Sequence, residues 1–313
     1  MKILYMGTPD FAVAPLEAMI EAGHEIVLVV TQPDKPKGRG KEMQMTPVKQ
    51  CAVKHNLPVF QPVKIKQKEE VEKLKSYDAD VYVVAAFGQI LSQEILDLPR
   101  LGCYNIHASL LPKYRGAAPI QWAIIDGEKE TGVTIMRMDA GLDTGDMVSK
   151  TVVPIAENET GESLHDKLME AGAKLIVETL PSIEEGTAVF TKQEDALSCY
   201  AKMLSKSMGL IDWTRPAVEI ERLIRGLNSW PSAYTYLEGK TCKIWEAKAV
   251  EETSDKEPGT ILNVTKDTFA VSTGQGILQV STIQMEGKKR MTVRDFLLGH
   301  AIKTGSILGE KTN

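Results

Sequence analysis

The stretch Asn105-Ile-His107-Ala-Ser109-Leu-Leu-Pro112 sets a side-chain amide and an imidazole two residues apart. On an extended strand, residues i and i+2 project from the same face. Asn105 and His107 would therefore stand side by side, with Ile106 turned to the opposite face. An amide donor beside an imidazole suits acyl chemistry, because both can hydrogen-bond a carbonyl oxygen that turns negative in a tetrahedral intermediate. A carboxylate that orients the imidazole or carries protons is the natural third member. Asp139, Asp143 and Asp146 offer one, in a loop punctuated by Gly141 and Gly145. Aspartates in such loops are also ordinary turn formers, and spacing alone does not choose among the three.

A second candidate follows Asp34. Lys35, Lys37, Arg39 and Lys41 alternate with a proline and two glycines. Without a GK[ST] ending at a helix start the segment is no P-loop. A flexible basic loop after a strand suits the phosphates of a nucleic acid. Gly7-Thr8-Pro9, after the first apolar run, carries one glycine and so lacks the GxGxxG dinucleotide fingerprint.

These groups need a scaffold. The runs KILYMG, EIVLVVTQ, DVYVVAAF and CYNIHAS are near-continuously apolar strands separated by helical stretches, which implies a parallel sheet covered on both faces. That places Asn105 and His107 at the C-terminal end of a strand, where open α/β sheets form their ligand crevices. The first helix is expected to start with Thr8 as N-cap and Pro9 at its first position. TGVTIMRMD and DMVSKTVVPI read as antiparallel partners, and a long amphipathic helix from Glu162 closes the unit. From about Thr191 the chain turns polar and reads as a connector without strands. A helix over RPAVEIERLIRGLN follows, with Val218, Leu223, Ile224 and Leu227 on one face. Short strands with turn signals then suggest a small barrel or sandwich, and Thr292 with Asp295 forms a capping-box pattern before a short final helix.

Composition narrows the classes. The 313 residues are 43% hydrophobic and 25% charged with a net charge of -5, an ordinary globular make-up for a chain long enough for two domains. Residues 1–207 hold 23 basic and 29 acidic residues, and residues 208–313 hold 14 and 13, so no part is strongly basic. No apolar run approaches the ~20 residues of a membrane span, and the first run is too short for a signal peptide. Four cysteines without a CxxC pair lead us to expect a reduced cytoplasmic protein with neither disulfide framework nor zinc site. Five scattered histidines without HExxH give metal catalysis no support.

The segments GTPDFAVAPL, TQPDKPKGRGK, VYVVAAFGQIL, NIHASLLPKYRGAAPIQWAI, TGVTIMRMDAGLDTGDMV and IDWTRPAVEIERLIRGLNSWPSAY occur in this order. Together they resemble the methionyl-tRNA formyltransferases. The first five are shared with other 10-formyltetrahydrofolate-dependent formyltransferases, and the sixth singles out the tRNA branch. The resemblance implies an α/β fold: a Rossmann-like N-terminal domain with a mostly parallel sheet over 1–190, a linker at 191–207, and an OB-like β-barrel tRNA-binding domain over 208–313. It implies transfer of a formyl group from 10-formyltetrahydrofolate to the α-amino group of methionyl initiator tRNA. Folate and that tRNA would be the partners, with no metal, no membrane and no obligate protein partner. Asn105, His107 and Asp143 match the family's catalytic positions. Ser109, Leu110, Leu111 and Pro112, with Phe87, Gly88, Gln89, Ile90, Leu91 and Asp139, match its folate pocket. Lys35, Lys37, Arg39, Lys41 and Lys206 match its tRNA contacts. Ser207 departs from the pattern, since many members have an acidic residue after that lysine. The same catalytic trio serves formyltransferases acting on sugar-nucleotide amines and 10-formyltetrahydrofolate hydrolases, the alternatives within the enzyme class. A non-catalytic tRNA- or folate-binding protein is the alternative outside it.

Overall fold

The computed structural model describes residues 1–37 and 42–309. The chain forms two compact units: one of residues 1–119, 130–154 and 165–201, the other of residues 120–129, 155–164 and 202–313.

The apolar runs become the strands that the pattern dictates. In order come β1 (Lys2–Gly7), α1 (Val13–Glu21), β2 (Glu25–Val30), the short pair β3 (Lys35–Lys37) and β4 (Glu42–Gln44), α2 (Pro47–Lys54) and β5 (Val59–Phe60). They are followed by α3 (Lys68–Lys75), β6 (Val81–Ala85), α4 (Gln93–Leu96) and β7 (Cys103–His107). Beyond these lie β8 (Arg115–Gly116), α5 (Pro119–Ile125), β9 (Glu130–Arg137), β10 (Met147–Pro154), α6 (Gly161–Glu184) and β11 (Tyr200–Ala201). The main sheet has the order β10-β9-β7-β6-β1-β2-β5. Strands β7, β6, β1, β2 and β5 are parallel, β9 pairs antiparallel with β7, and β10 pairs antiparallel with β9.

Alternation assigns each side chain a face. Leu4, Met6, Leu28, Val30, Tyr82 and Val84 enter one core with Val71 and Leu74 of α3 and Ile95 and Leu96 of α4. Tyr5 points the other way, and its hydroxyl donates to the Ala12 carbonyl at 2.6 Å. On β7, a Cβ added to Gly172 of α6 would stand 2.9 Å from Ile106 Cγ2. That close approach fixes Ile106 against the helix and leaves Asn105 and His107 for the opposite face. From β1 the chain runs out to β2 and β5, then returns to build β6 and β7 on the other side. The reversal between β1 and β6 is where such sheets open a crevice at their C-terminal ends.

Two expectations about this unit are corrected. Thr8 does not cap α1: a 3-10 turn at Asp10–Ala12 comes first, and the Thr8 hydroxyl donates to the Phe87 carbonyl at 2.9 Å. A partner 79 residues away has displaced the local cap. The polar connector also holds a strand after all, because β11 pairs in parallel with β8.

The second unit holds α7 (Ala217–Gly226), β12 (Ala233–Leu237), β13 (Lys240–Val250), β14 (Ile261–Val264), β15 (Phe269–Ser272), β16 (Ile277–Met285), β17 (Met291–Thr292) and α8 (Val293–Leu297). Its antiparallel sheet runs β12-β13-β16-β15-β14, with β17 on β16. Glu238 and Gly239, both with positive φ, make the two-residue turn between β12 and β13, as tight hairpins require. Thr292 caps α8 by accepting from the Asp295 amide at 3.1 Å. Trp213, Ile220, Ile224, Ile244, Phe269 and Leu278 fill the core. The buried face of α7 is Ala217, Ile220 and Ile224, while Val218 is 44% exposed. Of the expected stripe, Ile224 and Leu227 are buried and Leu223 is partly so, but Val218, six residues from Ile224, lies about 120° round the helix and falls off it. Among the described residues, no helix is long and apolar enough to cross a membrane.

Candidate active site

The C-terminal end of β7 assembles the predicted trio's histidine and carboxylate. His107 is buried and Asn105 is partly exposed beside it on the same strand face. His107 Nδ1 lies 3.7 Å from Asp143 Oδ2, although 36 residues separate them. His107 Nε2 is 2.9 Å from the Tyr114 carbonyl. A carbonyl only accepts, so Nε2 carries a proton and donates, and Nδ1 is the nitrogen turned to the carboxylate. Among the described residues the Asn105 amide has no hydrogen-bond partner, which leaves its N–H groups for a ligand.

The structure also separates the three aspartates. Asp139 is a turn former: its Oδ1 accepts from the Gly141 amide at 3.0 Å and the Thr144 hydroxyl at 2.7 Å. Asp146 contributes its backbone carbonyl to the Arg137 amide at 2.8 Å. Only Asp143 faces the imidazole, and it is elaborately held. Its Oδ2 accepts from the Gly116 amide at 2.8 Å. Gln193 Nε2 donates to the carbonyls of both Asp143 and Gly145, at 2.8 Å each. Gln193 is aligned in turn by Arg115 Nε at 2.9 Å, while Arg115 Nη2 donates to Asp195 at 2.8 Å. Asp143 (φ +53°) and Tyr114 (φ +58°) both sit in the left-handed region. Non-glycine backbone there costs on the order of 1–3 kcal/mol and persists only where its surroundings hold it. Gly116 has φ +120°, and a Cβ on it would come 2.6 Å from the Ala201 carbonyl of β11. Both the loop's strain and its restraint thus converge on the one carboxylate beside His107.

The segment after β7 is a tight, buried turn. Ser109 Oγ donates to the Lys113 carbonyl at 2.7 Å, and Thr134 on β9 bridges it by donating to Ser109 O and accepting from the Leu111 amide. Lys150 Nζ donates to the Leu111 carbonyl at 2.7 Å, and partial burial lowers its pKa from the usual lysine range. Leu111 is buried, while Leu110 and Pro112 remain partly exposed. After β6, Phe87 and Leu91 are buried, Gly88 has φ +83°, and Ile90 is 73% exposed despite being apolar. Gln89 is spent on structure, bridging the Pro62 carbonyl and the Ile65 amide. Ile90, Leu110 and Pro112 thus leave apolar surface accessible in the segments that follow strands β6 and β7.

A cavity of about 400 Å³ opens beyond β1 and β2, lined by Thr8, Gln32, Lys35, Gln44, Thr46 and Gln50 among others. Lys35 is exposed on β3, and Lys37 ends that strand. Arg39 and Lys41 lie outside the described residues. Lys206 is exposed in a 3-10 turn of the second unit. Nothing in the sequence pointed to Gln193, Thr134 or Lys150, and Arg115 had no assigned role there. Their contacts span 23 to 80 residues, and nothing in local spacing announces them.

Comparison with known proteins defines the class first. A family model described as formyl transferase matches residues 1–180, and one described as formyl transferase, C-terminal domain, matches residues 203–301. The methionyl-tRNA formyltransferase of Agathobacter rectalis is 60% identical over 306 residues, covering 98% of this chain and 99% of that protein. The methionyl-tRNA formyltransferase of Clostridioides difficile is 54% identical, covering 99% of this chain and 100% of that one. The chain belongs to the methionyl-tRNA formyltransferase family. Solved structures share the fold. WlaRD, a sugar 3N-formyl transferase crystallised with dTDP and 5-N-formyl-THF, aligns over 92% of this chain and 99% of its own with TM-score 0.67 at 21% identity. HypX from Aquifex aeolicus, crystallised with tetrahydrofolic acid, aligns over 96% of this chain and 47% of its own with TM-score 0.64 at 19% identity.

Proposed function

We propose that the protein transfers the formyl group of 10-formyltetrahydrofolate to the α-amino group of methionyl-tRNA, yielding N-formylmethionyl-tRNA. The observation that carries this reading is the His107–Asp143 pair beside Asn105 at the end of β7. The neutral amine's lone pair forms the new C–N bond to the formyl carbon, and the carbonyl pair moves to oxygen. Asn105 donates to that oxygen, and removing such a donor typically costs ~10²–10³ in rate. His107 can donate there as well only through Nδ1, because Nε2 is committed to Tyr114. Asp143 faces that nitrogen at 3.7 Å and orients the ring. Asp143 takes the proton of the attacking amine and returns it to the folate's N10 as the C–N10 bond breaks. The amine is itself the nucleophile, so no serine or cysteine is called on.

The folate is read onto Ser109 to Pro112, Phe87 to Leu91 and the Asp139 loop, where apolar surface and backbone amides fit a flat heteroaromatic ring. The basic segment with Lys35, Lys37, Arg39 and Lys41, the adjoining cavity, Lys206 and the 208–313 domain are read as the tRNA-facing parts, in the cytoplasm. Phosphate contacts of this kind supply salt-dependent affinity without sequence reading. Purified protein given 10-formyltetrahydrofolate with methionyl initiator or elongator tRNA should make formyl-methionine from the initiator preferentially. Hydrolysis of the folate without transfer would overturn the reading.

A further inference from the structure

Away from this crevice, α1 and α2 bring three chemically different metal ligands together. Cys51 and His55 are four residues apart, one turn of α2 and its C-cap, and so share a face. Glu17 reaches them from α1. The Cys51 sulfur, a His55 ring nitrogen and a Glu17 carboxylate oxygen all lie within 4.8 Å of one another. His55 Nε2 is also shut off from solvent and, among the described residues, has no hydrogen-bond partner. Its nearest carboxylate oxygen, Glu17 Oε1, is 3.8 Å away, too far for a hydrogen bond. Two ligands on one tetrahedral ion, each bonded at ~2.0–2.1 Å, stand ~3.3 Å apart. A small rotation of either side chain therefore closes the gap onto a shared ion. Tyr5, close by, is excluded as a ligand because its hydroxyl is committed to Ala12.

We propose that Glu17, Cys51 and His55 form a divalent transition-metal site, with Zn²⁺ the ion their chemistry selects. A sulfur, imidazole and single carboxylate set favours Zn²⁺ over Ca²⁺ or Mg²⁺, which want all-oxygen cages. Three protein ligands leave the fourth position to water. On binding, the Cys51 thiol releases one proton to solvent and the sulfur bonds the ion as thiolate, with no change of oxidation state. The site clips α1 to α2, the helix whose N-cap Thr46 follows the β3–β4 pair. Lys54 Nζ donates to Glu17 Oε1 at 3.1 Å, and its positive charge opposes a cation held by that carboxylate. Lysine thus competes with the metal, and its removal tightens binding.

The test uses the full chain, reduced, with Co²⁺ as an optical probe displaceable by Zn²⁺. One equivalent should give a thiolate-to-cobalt charge-transfer band and release one proton. The band should vanish in Cys51→Ser and persist in Cys199→Ser, the exposed cysteine serving as control. Affinity should fall at least ~10-fold in His55→Ala and Glu17→Gln and rise in Lys54→Met. These half-exposed positions carry the test should Cys51→Ser fail to fold. Absence of the band, its survival in Cys51→Ser, or weaker binding in Lys54→Met would overturn the proposal.

Discussion

Two histidine–carboxylate pairs in the first unit have nearly the same separation, 3.7 Å at His107–Asp143 and 3.8 Å at His55–Glu17. What surrounds them differs completely. The side chains of His107 and Asp143 are 6% and 14% exposed, and each is pinned by backbone: His107 to the Tyr114 carbonyl, Asp143 to the Gly116 amide, with Gln193 clasping the loop. Among the described residues His55 has no hydrogen-bond partner at Nε2, and Glu17 is shared with an exposed lysine. Burial and the charge of Glu17 push the neighbouring Cys51 thiol up to about 11. The restraint on the first pair suits a reacting group met at one angle. The second is adjustable, and it suits an ion that draws its ligands in.

That contrast can be broken from either side. The largest effect should come from His107→Ala, with single-turnover formylation falling by ~10²–10³; a loss of only a few-fold would place the chemistry elsewhere. Loosening the first pair without touching it should cost less. Gln193→Ala or Arg115→Ala should lower kcat by on the order of 10- to 100-fold with KM for the folate unchanged. Arg115→Lys should fail to rescue, because a point charge cannot serve Gln193 and Asp195 together. An effect on thermal stability alone, with kcat intact, would demote both residues to structure. Glu17→Gln and His55→Ala should leave formylation within about 2-fold of wild type, since neither touches the crevice; a large loss would join the two pairs functionally.

The smallest effect concerns a third ion pair, which does neither job. Asp34 is held by Lys49 at 2.5 Å and Gln61 at 2.6 Å, and these hydrogen bonds lower its carboxyl from the usual range. The unfolded chain therefore takes up this proton at higher pH than the folded protein does. The contribution is complete above the ordinary carboxylate pKa of ~3.9 and is lost as pH falls through the depressed value. Urea midpoints of Asp34→Asn and wild type should therefore differ at neutral pH and converge in acid; a difference that grew in acid would reverse the sign.

Much of this architecture was legible in the residues. Continuous apolar runs gave β1, β2, β6 and β7, and the i, i+2 rule put Asn105 and His107 on one face. The paired runs after residue 130 became β9 and β10. What escaped was tertiary. Thr8 looked like a cap because its long-range partner Phe87 leaves no local trace. Val218 was counted into the buried stripe because apolar character alone does not fix the phase of a helix. The choice of Asp143 over Asp139 rests on a left-handed backbone held from Gly116 and Gln193, 27 and 50 residues away. A Cys-x3-His spacing is too common to signal a site until a fold brings Glu17 to it.

We infer that the restrained Asp143 carboxylate, acting with His107 and Asn105, carries formyl transfer. Its most direct test is the single-turnover rate of formyl-methionine formation from 10-formyltetrahydrofolate and methionyl-tRNA by Asp143→Asn. This change keeps the size of the side chain and an oxygen for the Gly116 amide while removing the charge. That rate should fall by ~10²–10³ with folate binding retained. A rate within a few-fold of wild type would contradict it.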